Sequence, residues 1–303
     1  MRITEFMNRF PTEESCRIYF KEFRIKQGVI CKKCQCTKHY WLKDKWQFQC
    51  SECSFRTGIR SGTIMENSRL PFKTWFLIFL FMSSTKKGIS ANELQKQVGH
   101  QRYQTIWSIM HRIRKLMGDR DDGYKLFDMV EFDEGYFEKA TSKKNSKLNR
   151  GRGSQRQSKV AVLAESTPIE QIESGLKSRV CRYFKMKVLP THHASEVNGL
   201  IQKTVDLNAV IFTDKSTSYY DLRNLLEFHV TEKSSYETTN ETLKWVHIAI
   251  SNAKRTMLGI YHKINGKYLQ NYLNEFTYKL NRRYCKSIFE RLVIAVTSPQ
   301  LVN

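Results

Sequence analysis

"DMVEFDEGYF", residues 128–137, decides how this chain folds. In an extended backbone Val130 and Phe132 face one side, and Glu131 and Asp133 face the other. That is the pattern of a strand with one apolar face and a row of carboxylates across from it. "KVAVLAE" (159–165) and "RVCRYFKMKVLP" (179–190) read as two more strands, and "ASEVNGLIQKTV" (194–205) as an amphipathic helix. "NAVIFTD" (208–214) is an unbroken apolar run that ends on Asp214, as expected of a buried central strand delivering a charge at its tip. Strands alternating with helices predict an α/β region over residues 123–303. Asp133 and Asp214 on neighbouring strands are the least that could hold divalent cations for phosphoryl transfer.

The segments before this region differ in kind. Six of the eight cysteines fall in residues 1–62. "CKKC" supplies Cys31 and Cys34, "CSEC" supplies Cys50 and Cys53, and fifteen residues separate the pairs. Two such knuckles give four thiolates for one tetrahedral ion, the arrangement of a structural zinc ribbon with no open coordination position. The intervening "HYWLKDKWQFQC" alternates aromatic and polar residues as a hairpin does. Cys36 is a spare beside the first knuckle, and the isolated Cys16, Cys181 and Cys285 are expected in the core.

Residues 63–122 form the next region, with helical apolar spacing from Leu70 to Met117. In "ISANELQKQVGHQRYQTIWSIMHRIRKLM" (89–117), Ser90 is the expected N-cap with Glu93 as its capping-box partner, and Gly99 makes the turn. A second helix from Arg102 to Met117 turns Ile106, Ile109, Met110, Ile113 and Met117 inward. It leaves Arg102, His111, Arg112, Arg114 and Lys115 on more exposed faces. Helix, glycine turn and basic helix is the helix-turn-helix pattern, with Arg102, Arg112 and Arg114 as expected DNA contacts.

The chain carries 51 Lys and Arg against 29 Asp and Glu, a net charge of +22, which points to a polyanion partner, most simply nucleic acid. "KATSKKNSKLNRGRGSQRQSK" (139–159) holds eight basic residues and no acid, so Arg150, Arg152 and Arg156 are further candidates for phosphate contacts. "MRITEFMNRF" at the start has no apolar signal region, and "WFLIFLFM" (75–82) is far short of the roughly 20 residues a membrane helix needs. A reducing, cytoplasmic setting associated with the nucleoid is expected, with no membrane partner.

"VEFDEGYF" (130–137), "FTDKSTSYYDL" (212–222) and "HIAISNAKRTMLGIYHKINGKYLQNYLNEFTYKLNRR" (247–283) resemble the catalytic motifs of bacterial DDE-type insertion-sequence transposases. The group most resembled carries an N-terminal zinc ribbon, and "QTIWSIMHRIR" (104–114) is similar to the segment before its catalytic domain. The resemblance runs nearly the whole chain, and "YH…YLQNYLNEF…NRR" is its most specific part. It implies an RNase H-like catalytic fold and Mg2+- or Mn2+-dependent cleavage and joining of double-stranded DNA at terminal inverted repeats and target. It also implies Asp133 and Asp214 as the first two acidic ligands and a homo-oligomer on DNA. The third acidic ligand, usually Glu, is not evident; members of the group carry Asn or His there, with a basic residue further along the helix.

Helix geometry addresses that third position. Over residues 242–260, read as one helix capped from "TTN" (238–240), Leu243, Val246, Ile250, Ala253 and Met257 form one apolar stripe. His247 lies at its edge and Lys254, seven residues on, sits two turns above. Asn252 projects about 140° away from His247. His247 with Lys254 is thus the expected pair, which also matches the family spacing; Asn252 is the alternative, and Glu241 is a fallback acid at the helix start. The expected function is transposition, with the ribbon and helix-turn-helix binding the element's ends. The rivals are a catalytically inactive DNA-binding regulator derived from a transposase and an RNase H-like structure-selective nuclease.

Overall fold

A computed structural model describes residues 1–140, 154, 156–166, 181–190, 193–214, 228–232, 235 and 242–298. Arg150, Arg152, most of "FTDKSTSYYDL", the "TTN" at 238–240 and Glu241 lie outside the described residues. The chain divides into two compact units, Met1–Met117 with Cys285–Asn303, and Gly118–Tyr284.

The first unit begins with α1 (Ile3–Arg9) and α2 (Glu13–Gln27). A three-stranded antiparallel sheet follows, β1 (His39–Leu42), β2 (Gln47–Cys50) and β3 (Arg56–Gly58), in sequence order. Next come α3 (Phe72–Ser84), α4 (Ala91–Val98) and α5 (Tyr103–Asp122), whose last turn belongs to the second unit. Helix α3 is "FKTWFLIFLFMSS", apolar nearly all round and buried accordingly. Its N-cap, Pro71, has no side-chain acceptor, and the Glu13 carboxylate fills that role by accepting the N–H groups of Phe72 (2.8 Å) and Lys73 (2.9 Å). The helix Ile288–Thr297 completes this core. The Phe289 ring packs on Phe6 and Phe76 at 6.1 and 5.9 Å, and Arg9 pairs with Glu290 at 2.7 Å. Residues 285–298, expected to close the α/β region, therefore pack with the N-terminal helices.

Ser90 caps α4 through the Glu93 N–H (3.1 Å) and Gly99 ends it in the left-handed region (φ 66°). Glu93 does not complete the capping box; it accepts from Gln97 at 2.8 Å. Helix α5 runs five residues beyond the expected Met117, and the five apolar positions named above are buried. Two of the positions expected on exposed faces are not exposed: Arg114 is 1% and His111 8% accessible. The polar stripe of α5 is thus narrower than its basic residues suggest, with His111 packed on the Trp107 ring at 4.1 Å.

The second unit is built on a five-stranded mixed sheet. Its strands are β4 (Met129–Glu138), β5 (Gln157–Glu165), β6 (Tyr183–Leu189), β7 (Val210–Asp214) and β8 (Phe228–Glu232), ordered β6-β5-β4-β7-β8. The pairs β4–β5 and β5–β6 are antiparallel, and β4–β7 and β7–β8 are parallel. On one face, α6 (Ala194–Thr204) covers Val130, Phe132, Ala161, Leu163 and Ile211. On the other, α7 (Lys244–Tyr261) and α8 (Leu269–Asn281) cover Phe137, Val160, Val162 and Ala164. This mixed sheet with helices on both faces is the RNase H-like α/β architecture expected. Gly135 sits where α7 crosses β4; a Cβ there would meet Ile250 at 3.3 Å. Strand β7 is less buried than its apolar run predicted, alternating between buried Ile211 and Thr213 and partly covered neighbours.

The family-like "NRR" at 281–283 does structural work at the end of α8. Asn281 bonds both the N–H (2.8 Å) and the carbonyl (3.0 Å) of Phe184 on β6. Arg282 pairs with Asp121 at 2.7 Å beneath the Tyr278 ring, and Arg283 donates to the Cys181 carbonyl. Cys16 and Cys181 are buried as expected, but Cys285 is exposed, because it lies in the turn just before the Ile288–Thr297 helix. Among the described residues no helix is long and apolar enough to cross a membrane.

Candidate functional site

The four cysteines of the ribbon converge, their sulfurs all within 4.8 Å of one another. Cys31 and Cys53 approach to 3.5 Å, as do Cys34 and Cys50. Tetrahedral zinc with bonds of about 2.3 Å holds its sulfurs about 3.8 Å apart, so the cluster fits that ion. The two knuckles repeat one backbone design. Gln35 N–H returns to the Cys31 carbonyl (3.0 Å) and Ser54 N–H to that of Cys50 (3.2 Å). Gln35 and Ser54 are both left-handed, at φ 61° and 56°. Burial raises the Cys31 thiol, but N–H groups of Cys34 and Lys33 and neighbouring thiols bring it down to about 7. Cys34, lowered by the Cys36 N–H but raised by the thiols around it and by burial, is pushed up to about 12. One thiolate forms readily and the next is opposed, a repulsion that a divalent ion cancels. Cys36 stands outside the cluster, its sulfur accepting the Lys38 N–H at 3.3 Å.

The second cluster forms where β4 and β7 run side by side. Their last paired residues are Glu131 and Phe212. Two positions further, each strand presents an aspartate, Asp133 and Asp214, on the face that carries α7. The stripe of α7 is as the sequence predicted, with Leu243, Val246, Ile250, Ala253 and Met257 all buried. His247, at its edge and partly exposed, brings Nε2 to 3.7 Å from Asp133 Oδ2. Asn252 is directed elsewhere, accepting from Arg255 at 2.9 Å. Lys254 is exposed and lines a cavity of about 290 Å³ with Tyr136, Phe137, Met257 and His262, its ammonium 5.8 Å from the Phe137 ring centre.

Burial dominates the electrostatics of Asp133 and lifts its carboxyl to about 6. The Glu134 N–H, 2.7 Å from Oδ1, and His247 draw it down, while the charges of Asp214 and Glu134 add to the rise. Two carboxylates and an imidazole form a donor set suited to Mn2+ and, through the oxygens, Mg2+. Among the described residues only the four cysteines gather three donors within 4.8 Å, so an ion shared by Asp133, Asp214 and His247 needs a side chain to move inward.

Two carboxylates that the sequence did not single out border this cluster. Glu131, 3% exposed, accepts the N–H groups of Trp245 (2.7 Å) and Val246 (3.1 Å) through one oxygen. Glu232, paired with Asp214 across β7 and β8, accepts the Thr242 hydroxyl at 2.7 Å. The only sequence signal for Glu131 was its place on the same strand face as Asp133. Of the expected DNA contacts, Arg102, Arg112 and Arg156 are exposed, and Arg112 donates to the Ile64 carbonyl at 3.3 Å. Arg114, being buried, does not present itself to DNA.

The model of the ISXO2-like transposase domain matches residues 125–281, and that of the transposase zinc-ribbon domain matches residues 11–56. No curated protein matches the chain. Among solved structures, a pre-cleavage Mos1 transpososome is 10% identical, covering 75% of this chain and 79% of that one at a TM-score of 0.26. The Mos1 strand transfer complex is 11% identical, with coverages of 76% and 78% and a TM-score of 0.28. Both likenesses are too distant to bear on fold or chemistry.

Two outcomes follow from these clusters. Purified protein is expected to hold one Zn2+, and Cys50→Ser to lose it and unfold the ribbon while the five-stranded sheet persists. Elemental analysis with circular dichroism checks this, and native protein free of zinc refutes it. For Asp133, the folded protein keeps its proton to about pH 6 against an ordinary 3.8. Within that window the folded state binds the extra proton, so stability declines as pH rises. Asp133→Asn removes this loss and should exceed the parent's stability at pH 7.5 by roughly 1–3 kcal/mol. The advantage should shrink at pH 4, as read from denaturant unfolding; an advantage equal at both pH values would contradict it.

Proposed function

The chain belongs to the ISXO2-like transposase family, and from that premise we propose that it cuts and joins DNA at the ends of its own mobile element. The observation that carries this is Asp133 and Asp214 standing level on the parallel β4–β7 pair, with His247 Nε2 3.7 Å from Asp133. In this reading Asp133 and Asp214 bind the catalytic divalent ions, Mg2+ or Mn2+, and His247 takes the third position. Bound there, such ions would offset charge on the scissile phosphate and activate the attacking hydroxyl. Lys254, exposed two turns along α7, contacts the DNA backbone near the reacting phosphate. Water attacks a phosphate at the element's end first, breaking its P–O bond to free a 3′-hydroxyl. That hydroxyl then attacks a target phosphate and displaces the target's 3′ oxygen, with the protein's part being to hold phosphate and nucleophile in line.

DNA binding falls to three places. The ribbon of residues 1–62, held by zinc, and the helical region of residues 63–122 engage the terminal repeats through exposed groups that include Arg102 and Arg112. The basic stretch 139–159 adds phosphate contacts through Arg150, Arg152 and Arg156. Synapsis of two ends calls for a homo-oligomer on DNA.

Cleavage of DNA bearing the inverted repeats that flank the gene tests the catalytic proposal. Asp133→Ala and Asp214→Ala should abolish cutting in Mg2+ and Mn2+ while binding persists. His247→Ala should slow it about 100-fold or more, roughly 3 kcal/mol of barrier. His247→Glu should retain activity in Mg2+, whereas Asn252→Ala should matter little. Binding without cutting by the parent protein would make it a regulator, and cutting without joining a nuclease. Separately, neutralising Arg150, Arg152 and Arg156 should flatten the plot of log affinity against log salt by about 0.9 per lost contact. An unchanged slope would remove that stretch from the DNA interface.

A further inference from the structure

Helix α7 has no cap of its own. Leu243 stands at the N-cap and makes no side-chain bond to the helix. The first N–H groups of a helix have no partner within it, and burying them unpaired is costly. Here the partner comes from the sheet. One oxygen of Glu131 receives both Trp245 and Val246 N–H, at 2.7 and 3.1 Å. Glu131 lies two residues before Asp133 on the same face of β4, about 6.7 Å along the strand. The residue after Val246 is His247, whose ring stands 3.7 Å from Asp133. Capping carboxylate and aspartate therefore share one strand, and capped amides and imidazole share one helical turn.

We infer that Glu131 is a positioning residue that sets the rotation and height of α7 on β4 so that His247 faces Asp133. The assignment rests on the proposed roles of Asp133 and His247. A single oxygen that must reach two consecutive N–H groups leaves the helix little freedom to slide or turn. A rotation by one residue, about 100°, would carry His247 away from the aspartate. Glu232 supports the same turn from the far side of β7, through Thr242. The dipole of α7 adds to the bond, since a carboxylate at a helix N-terminus is favoured and is little screened when buried. The role assigned to Glu131 is that of a cap, through its Oε2, and not of a metal ligand.

The test compares Glu131→Ala and Glu131→Gln in the full chain. Hydrogen exchange should quicken about tenfold at Trp245 and Val246 in Glu131→Ala, while β4–β5 amides keep their protection. Glu131→Gln keeps an oxygen at the same reach and should exchange more nearly like the parent. Mn2+ titration followed by electron paramagnetic resonance should show binding weakened about 10–100-fold in Glu131→Ala. His247→Ala should do the same, and the double variant should bind no more weakly than His247→Ala alone. Losses that multiply in the double variant, or unchanged exchange at Trp245 and Val246, would overturn the inference. If the parent protein binds no Mn2+ outside its zinc ribbon, the assignment of the reacting centre fails instead. The exchange measurement needs no metal, so the two failures are told apart.

Discussion

Strand β4 must satisfy three neighbours at once. It pairs with β5 along one edge, with β7 along the other, and lies under α7 across one face. Each neighbour fixes a different coordinate. The β5 ladder, nine residue pairs long, holds the strand in register. The short parallel pairing with β7 sets Asp214 level with Asp133. The helix, brought close over Gly135 and bonded at Glu131, adds the imidazole. Because side chains alternate along the strand, Phe132 can anchor the opposite core while Glu131 and Asp133 face α7. A slip of one residue would exchange those faces and lose both core and site together.

The carboxyl group at the centre of this arrangement resists ionisation. Asp133 is held in a place that favours its protonated form, with Asp214 adding a like charge. Folding energy from the two apolar layers keeps it there. Burial and a like charge acting on one carboxyl are the perturbations that also arise at catalytic centres, and a divalent cation is the simplest relief for two crowded carboxylates. The ribbon poses the same problem in sulfur, where each thiolate formed opposes the next.

Local patterns were legible in the sequence, and partnerships across the chain were not. The spacing of Cys31, Cys34, Cys50 and Cys53 is a covalent-scale constraint, so it foretold the cluster. The α7 stripe, the placing of His247 at its edge, and the strands β4 to β7 followed from periodicity in the same way. The capping of α7 did not, because its partner Glu131 is more than a hundred residues upstream, beyond any local helix-start pattern. Arg114 misled because a basic residue on a helix defaults to solvent, yet α5 is covered on more sides than its apolar positions require. Cys285 misled in the opposite sense, as an isolated thiol that lies in an exposed turn. Gln35 and Ser54 gave no signal at all, since neither residue type advertises a left-handed backbone.

The helix Ile288–Thr297 bears on biosynthesis. Its Phe289 packs on Phe6 and Phe76, and its end meets Arg24, whose guanidinium bonds the Thr297 carbonyl at 3.2 Å. A ribosome making this chain releases α1, α2, α3 and the ribbon long before that helix exists. The aromatic face they share must then wait, open to solvent or to chaperones, while residues 118–284 are synthesised and fold. The N-terminal unit, although first in sequence, is thus completed last.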